Sequence, residues 1–310
     1  MKILITEFMD EAAVASLKSN FDVHHDATLV DRRDELVAKL KDVDALIVRN
    51  RTQVNSEILN AAPKLKVVGR LGVGLDNLDM PACKARNVEV IPATGANALA
   101  VADYVIATAM MLLRGAYFSS GAVASGQWPR GPLSNGREIG GKTIGIVGFG
   151  DIGRLVARLA QGLGMRVVAS DPMIDAGASV WKETGVGCRT LEALLAESDV
   201  ISLHVPLVAE TRNLMSVARL AMMKPDAVLI NSARGGIVDE VALAAALKAK
   251  RLGGAALDVF DGEPLKAGSP LTDCPNLIMT PHIAGVTAEA NIRVSSMIAE
   301  RVAAYLVSVR

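Results

Sequence analysis

Aromatic side chains are scarce in this 310-residue chain, at 3% of the composition. A large core must therefore be filled by Ala, Val, Leu and Ile, and 51% of the residues are hydrophobic. That combination suits parallel strands covered on both faces by helices. Cysteine is nearly absent too. Cys83, Cys188 and Cys274 stand far apart with no C-x-x-C pair. This argues against a disulfide framework and predicts buried thiols in a reducing, cytoplasmic setting. Four dispersed histidines are too few to suggest a zinc site, and no metal is expected. His24 and His25 are neighbours, which point to opposite faces if their segment is a strand. Neither charge sign dominates: 33 basic residues balance 33 acidic ones. Nothing advertises a nucleic-acid partner or an acidic membrane surface. Long uninterrupted apolar runs are missing as well. The run "ALAVADYVIATAMMLLRGA" carries Asp103 and Tyr104 and reads as a buried helix, not a membrane span. "MKILITEFMD" meets acidic residues within a few positions and does not read as a signal peptide.

What is present is alternation. "KILIT", "FDVHH", "ALIVR", "KVVGR" and "VEVIP" are strand-like. Between them lie helix-like segments such as "DEAAVASLKSN", with Asp10 as its cap. From Ala98 a long apolar helix follows, then a Gly/Pro/Ser/Asn-rich passage, "SGQWPRGPLSNGREIGG", which reads as an exposed loop. A second alternating set begins at Thr143 with "TIGIVGFG", "RVVAS", "VISLHV", "AVLINSA", "GAALDVF" and "LIMTPHI". The tail from Thr287 to Arg310 reads as one amphipathic helix. The chain is thus expected to hold one open α/β sheet inside another. The outer domain would take residues 1–97 plus 285–310, and the inner one residues 98–284.

The stretch "TIGIVGFGDIGRLVARLAQGLGMRVVASDP" sharpens this picture. Gly148, Gly150 and Gly153 follow a strand and open a helix, and Asp171 closes the next strand. Gly148 would make the tight turn. Gly150 would admit a pyrophosphate to backbone N–H groups, and Gly153 would let the helix pack close to the strand. The helix N-terminus adds partial positive charge. Asp171 can accept from both ribose hydroxyls and would repel a 2′-phosphate, so NAD is the expected cofactor. Hydride chemistry then needs a carboxylate clamp and a proton donor. Arg234, Asp258, Glu263 and His282 all fall just past β-type runs, where an open sheet presents its ligand crevice.

The ordered set "GFGDIG", "SLHVPL", "NSARGGIVDE", "ALDVFDGEPL" and "TPHIAG" resembles the D-isomer-specific 2-hydroxyacid dehydrogenase family. The front part, "LIVRNRTQVNSEILNAAPKLKVVGRLGVGLDNLD", is similar to its phosphoglycerate dehydrogenase branch, and the likeness spans essentially the whole chain. The resemblance implies an NAD-binding Rossmann domain (98–284) inserted into a flavodoxin-like substrate domain (1–97 plus 285–310), both α/β with open doubly wound parallel sheets. It implies His282 as acid/base, Glu263 as its partner and Arg234 as the carboxylate clamp. Val73 and Gly74 match the loop whose backbone N–H groups hold the carboxylate. Asp151 and Ile152 match pyrophosphate contacts, His204 and Pro206 the adenine side, and Ala233 and Asp258 the nicotinamide side, with Gly285 a further cofactor-binding residue. D (R) configuration at the hydroxyl carbon is implied as well.

Arg49, Arg51 and Arg70 stand near the expected carboxylate loop and suggest a substrate with a second anion. The alternative is surface pairing with Asp42, Asp44 or Glu57. Phosphoglycerate dehydrogenases usually carry a small residue where Arg51 stands. That departure counts against 3-phosphoglycerate and brings in a compact sulfonate such as 3-sulfolactate. A general glyoxylate/hydroxypyruvate reductase is the nearest alternative. An NAD(H)-sensing corepressor-like binding protein is the alternative from another class, and the chain shows none of the long disordered flanks such a role would suggest. Formate dehydrogenases carry Gln where this chain has Glu263. The apolar helix from Val101 and the loop bearing Trp128 and Arg130 resemble the family's dimer arm, so a homodimer is expected.

Overall fold

The computed structural model describes residues 1–310. Two compact units share the chain: Met1–Asn97 with Val286–Arg310, and Ala98–Gly285.

The first unit alternates strand and helix: β1 (Lys2–Ile5), α1 (Glu11–Lys18), β2 (Asp22–His25), α2 (Arg33–Lys39), β3 (Ala45–Val48), α3 (Ser56–Ala61), β4 (Val67–Arg70), α4 (Met80–Ala85) and β5 (Glu89–Pro92). Its sheet is parallel, in the order β2-β1-β3-β4-β5. Position in the sheet follows from composition. The central strand β3, "ALIV", is buried along its whole length, whereas the edge strands β2 and β5 expose Asp22, His24 and Glu89. Three of these four helices start on a polar cap. Asp10 accepts from Ala12 and Ala13 N–H, Asn55 from Ile58 N–H, and Asp79 from Ala82 N–H.

The second unit opens with α5 (Ala98–Arg114) and the short α6 (Ser120–Ala124). Then come β6 (Thr143–Val147), α7 (Asp151–Gly162), β7 (Arg166–Ser170), α8 (Ser179–Thr184), β8 (Gly187–Cys188), α9 (Leu191–Glu197) and β9 (Val200–Leu203). The unit closes with α10 (Val217–Leu220), β10 (Val228–Asn231), α11 (Glu240–Lys248), β11 (Gly254–Leu257) and β12 (Leu277–Met279). Seven parallel strands run β12-β11-β10-β9-β6-β7-β8. β6, β9, β10 and β11 are wholly buried, as expected for strands covered on both faces. Helix α5 packs Ala102, Val105, Ala109, Leu112 and Leu113 into the core with Val156, Ala157 and Ala160 of α7. Its apolar character is therefore accounted for by burial, and no single helix is long and apolar enough to cross a membrane.

The chain returns to the first unit as α12 (Ala288–Ser308), capped by the Thr287 hydroxyl. Val294, Ile298, Val302 and Leu306 join the core beneath β1, β3 and β4. Cys83 is buried, but Cys188 on the edge strand β8 and Cys274 in the turn before β12 are only half-buried. The expectation of buried thiols thus fails for two of the three, because edge positions are covered on one side only.

Candidate active site

Three neighbouring strands carry the candidate reactive groups. β10, β11 and β12 are adjacent in the sheet and run the same way, so the loops after them emerge together. Arg234 lies three residues past β10, Asp258 one past β11, and His282 three past β12. The Asn231 side chain holds the first loop: its Nδ2–H donates to Arg234 O at 2.9 Å and its Oδ1 accepts from Ala233 N–H at 3.1 Å. Arg234 is half-buried, and its Nη1–H donates to Ala233 O at 2.6 Å.

The second loop meets the first backbone to backbone. A Cβ on Gly235 would stand 1.7 Å from Phe260 O, so only glycine permits that approach. Phe260 N–H in turn donates to Glu263 Oε1 at 3.0 Å. The other carboxylate oxygen, Oε2, lies 2.7 Å from His282 Nδ1. Their side chains are 47% exposed for His282 and 35% for Glu263, so the pair is bonded yet open to a ligand.

Asp258 organises the third loop. It is buried, and its Oδ1 accepts from the Thr280 hydroxyl at 2.6 Å and from Ile283 N–H at 2.8 Å. Its Oδ2 accepts from Ala284 N–H at 2.8 Å. The Tyr104 hydroxyl extends this network to Thr280 Oγ1 at 2.8 Å. His282 itself has a left-handed backbone, φ 56°, and its N–H is shared between Asp258 O and Thr280 O. A non-glycine residue there is a local cost borne by the surrounding bonds. Asp258, expected on the cofactor side, is thus bonded within the His282 loop, and Gly285 ends the same loop and the unit.

The glycine turn lies between β6 and α7. Gly148 has φ 93°, which suits glycine, and a Cβ there would reach His204 O at 2.6 Å. A Cβ on Gly153 would reach Gly148 O at 2.3 Å. Gly150 faces open space and caps α7, leaving room for a ligand against the N–H groups of Asp151 and Ile152. Asp171, one residue past β7, accepts from Phe149 N–H at 2.8 Å and Met173 N–H at 2.9 Å, and each oxygen keeps acceptor capacity. These residues fit the diphosphate and ribose of a dinucleotide. His204 and Pro206 follow β9. Burial pushes the His204 imidazole down to about 4, and its Nε2 lies 2.9 Å from Ser202 Oγ. It is neutral at physiological pH and is no proton donor for reduction.

The expected substrate residues belong to the first unit. Arg49 and Arg51 follow β3, Arg70 ends β4, and Val73 and Gly74 lie in the next loop. Arg51 forks onto Asp31, with both side chains more than half exposed. None of the three carboxylates considered from sequence holds it. Asp42 pairs with Lys64, Asp44 with Lys66 and Glu57 with Arg33. Arg49 Nη2–H donates to Asn291 Oδ1 at 2.7 Å, and Arg70 Nη1–H to Leu71 O at 2.9 Å. Sequence reasoning missed Asn231, Gly235, Tyr104, Thr280 and Glu7 as site builders. Asn231 alone carried a local signal, an Asx residue placed between a buried strand and a tight turn.

Residues 106–284 match the D-isomer specific 2-hydroxyacid dehydrogenase, NAD binding domain family. The chain is 54% identical over 293 residues to an (S)-sulfolactate dehydrogenase from Chromohalobacter salexigens, covering 94% of each protein. It is 37% identical over 300 residues to a D-3-phosphoglycerate dehydrogenase from Archaeoglobus fulgidus, covering 97% of this chain and 56% of that one. Among solved structures, the TT0316 protein from Thermus thermophilus superposes with a TM-score of 0.89 at 33% identity, covering 99% of this chain and 97% of that one. With a glycine turn shaped for a dinucleotide and a carboxylate-bonded histidine in the same unit, the chain belongs to the D-isomer-specific 2-hydroxyacid dehydrogenase family and is an NAD-dependent oxidoreductase of 2-hydroxy acids.

Proposed function

We propose that the substrate is a 2-oxo acid bearing a second anion, with sulfopyruvate and 3-sulfolactate as the pair interconverted. The 2.7 Å bond between His282 Nδ1 and Glu263 Oε2 carries the chemical part of this reading. It occupies one ring nitrogen and leaves Nε2 for the substrate oxygen. In reduction, His282 gives its proton to the carbonyl oxygen. Bound NADH supplies the hydride to C2. In oxidation, neutral His282 takes the hydroxyl proton while Glu263 steadies the charge that forms on the ring. Arg234 clamps the carboxylate, with the N–H groups of Val73 and Gly74 as further donors. Gly150, Asp151 and Ile152 hold the pyrophosphate, Asp171 the ribose, His204 and Pro206 flank the adenine, and Ala233 and Gly285 lie on the nicotinamide side.

The second anion rests on Arg49, Arg51 and Arg70, together with the 54% identity to a sulfolactate dehydrogenase. Handedness agrees with this. The carbon that bears sulfur outranks the carboxylate carbon in the priority rules, because sulfur outranks oxygen, so the spatial arrangement called R in a D-lactate-type acid is called S in sulfolactate. The test is a panel of glyoxylate, hydroxypyruvate, phosphohydroxypyruvate and sulfopyruvate, followed by NADH absorbance. Sulfopyruvate should show the highest kcat/KM, and equal rates with glyoxylate would leave a general reductase.

The active species is inferred to be a homodimer in the cytoplasm. Tyr117 (59% exposed), Phe118 (48%), Val123 (44%) and Trp128 (78%) crowd one short segment. Such apolar exposure marks an interaction surface. Sedimentation showing a stable monomer would remove this inference.

A further inference from the structure

The strand order of the first unit reverses between β1 and β3: β2 lies on one side, β4 and β5 on the other. In an open parallel sheet this switch point, at the carboxyl ends of the strands, is where a ligand settles. Here the chain has placed its own anion there. Glu7, two residues past β1, is buried at 4% exposure. Its Oε1 accepts from Arg49 N–H at 2.9 Å and Thr52 N–H at 3.0 Å. Its Oε2 accepts from Arg51 N–H at 3.0 Å and Asn50 N–H at 3.3 Å. Four successive amides of the loop after β3 therefore converge on one carboxylate, an arrangement that elsewhere receives phosphates. Burial pushes the Glu7 carboxyl up, but the hydrogen bonds from Thr52, Arg49 and Arg51 outweigh it and hold the group below its ordinary value. From the far side, Asn77 Nδ2–H donates to Thr52 O at 2.8 Å.

The two guanidinium groups on this loop differ. Arg51 is exposed and answered by Asp31. Arg49 is half-buried; its guanidinium donates to Asn291 Oδ1 and lies 5.8 Å from the Phe8 ring, with the Glu7 carboxylate acting on it through space rather than through a side-chain hydrogen bond. A guanidinium that no carboxylate forks onto keeps N–H donors for an external anion.

We propose that Glu7 is a positioning residue for substrate choice: by pinning residues 49–52 it fixes Arg49, with Asn291 orienting the guanidinium, to receive the second anion of the substrate. This rests on the substrate reading above. The experiment compares kcat/KM for sulfopyruvate and glyoxylate in the wild type, Glu7→Gln and Asn291→Ala, with amide hydrogen exchange read at residues 49–52. Gln keeps one acceptor and turns an N–H group toward the loop. Exchange at 49–52 should accelerate about tenfold or more in Glu7→Gln. The sulfopyruvate-to-glyoxylate ratio should fall about tenfold, expressed in KM for sulfopyruvate more than in kcat. Asn291→Ala should lower the ratio in the same direction without changing exchange at 49–52. If Glu7→Gln fails to fold, Asn291→Ala decides alone, and an unchanged ratio overturns the proposal. Equal loss on both substrates, or unaltered exchange in Glu7→Gln, also overturns it. A wild type with no preference for sulfopyruvate refutes the substrate reading instead, and does so before any variant is made.

Discussion

Replacing Gly235 by alanine probes how the reactive loops are held together. The added Cβ would lie 1.7 Å from Phe260 O, 2.0 Å from Phe260 C and 2.7 Å from Asp261 N. All three are backbone atoms, so no side chain can swing aside. Carbon contacts are comfortable near about 3.5 Å, so the two loops must part by roughly 1.5 Å or more. The displacement is not absorbed locally. Phe260 N–H bonds Glu263, and Glu263 bonds His282, while Arg234 immediately precedes the substituted position. A misplacement of about 1 Å among reacting groups costs on the order of 100-fold in rate. Overpacking of this kind costs about 1–3 kcal/mol in stability. Three measurements read the outcome: kcat/KM for a 2-oxo acid at saturating NADH, the NADH Kd by fluorescence, and the Tm. Turnover should fall about 100-fold and the Tm should drop. The Kd should stay within about threefold, since the pyrophosphate turn lies on another loop. A variant with nearly wild-type kcat/KM and Tm would show that the loops do not depend on this contact.

His282→Gln should lower kcat by about 10²–10⁴-fold while NADH still binds, and turnover close to wild type would place the proton donor elsewhere. Asp171→Ala should weaken NADH about tenfold or more by calorimetry and leave NADPH less affected, because the lost carboxylate bonded Phe149 N–H and repelled a 2′-phosphate. Equal weakening of both cofactors would refute that role. Acid should destabilise the fold through His204. Its folded value is lowered from 6.5 to about 4, so the unfolded chain takes up the proton first. The stability is complete above about pH 6.5 and is lost as pH falls toward 4, by at most about 3 kcal/mol. Urea midpoints at pH 7 and pH 5 should converge in His204→Gln, and an unchanged pH dependence would refute that assignment.

Apolar runs ending in glycine or an acid made the strands legible, and polar caps such as Asp10 and Thr287 marked the helix starts. His282, Glu263 and Arg234 were singled out because each follows a strand in family order, and the structure bonds the first two to each other. What escaped were features with no periodic signature. β8 is two residues long and sits at an edge, where a single side of burial leaves no pattern. The Arg51–Asp31 pair joins residues 20 apart with α2 and β3 between them, a pairing that no local spacing marks. Glu7 read as an acidic interruption after a strand, because a bond to four amides beyond the next helices and strands leaves no mark in composition. Gly235 was one of two adjacent glycines, and only the course of the neighbouring backbone shows that it is the one pressed against Phe260.

The division of labour between the two folding units bears on how such proteins diversify. His282, its carboxylate partner Glu263, Arg234 and the glycine turn all belong to Ala98–Gly285, while Arg49, Arg51 and Arg70 belong to the unit that encloses it in sequence. On the substrate reading proposed above, substitutions that retune which acid is accepted can therefore accumulate around Glu7, Arg49 and Asp31 without touching the groups proposed for hydride and proton transfer. Replacing the outer unit's loops, rather than redesigning the inner one, is the economical route to a reductase for a new acid.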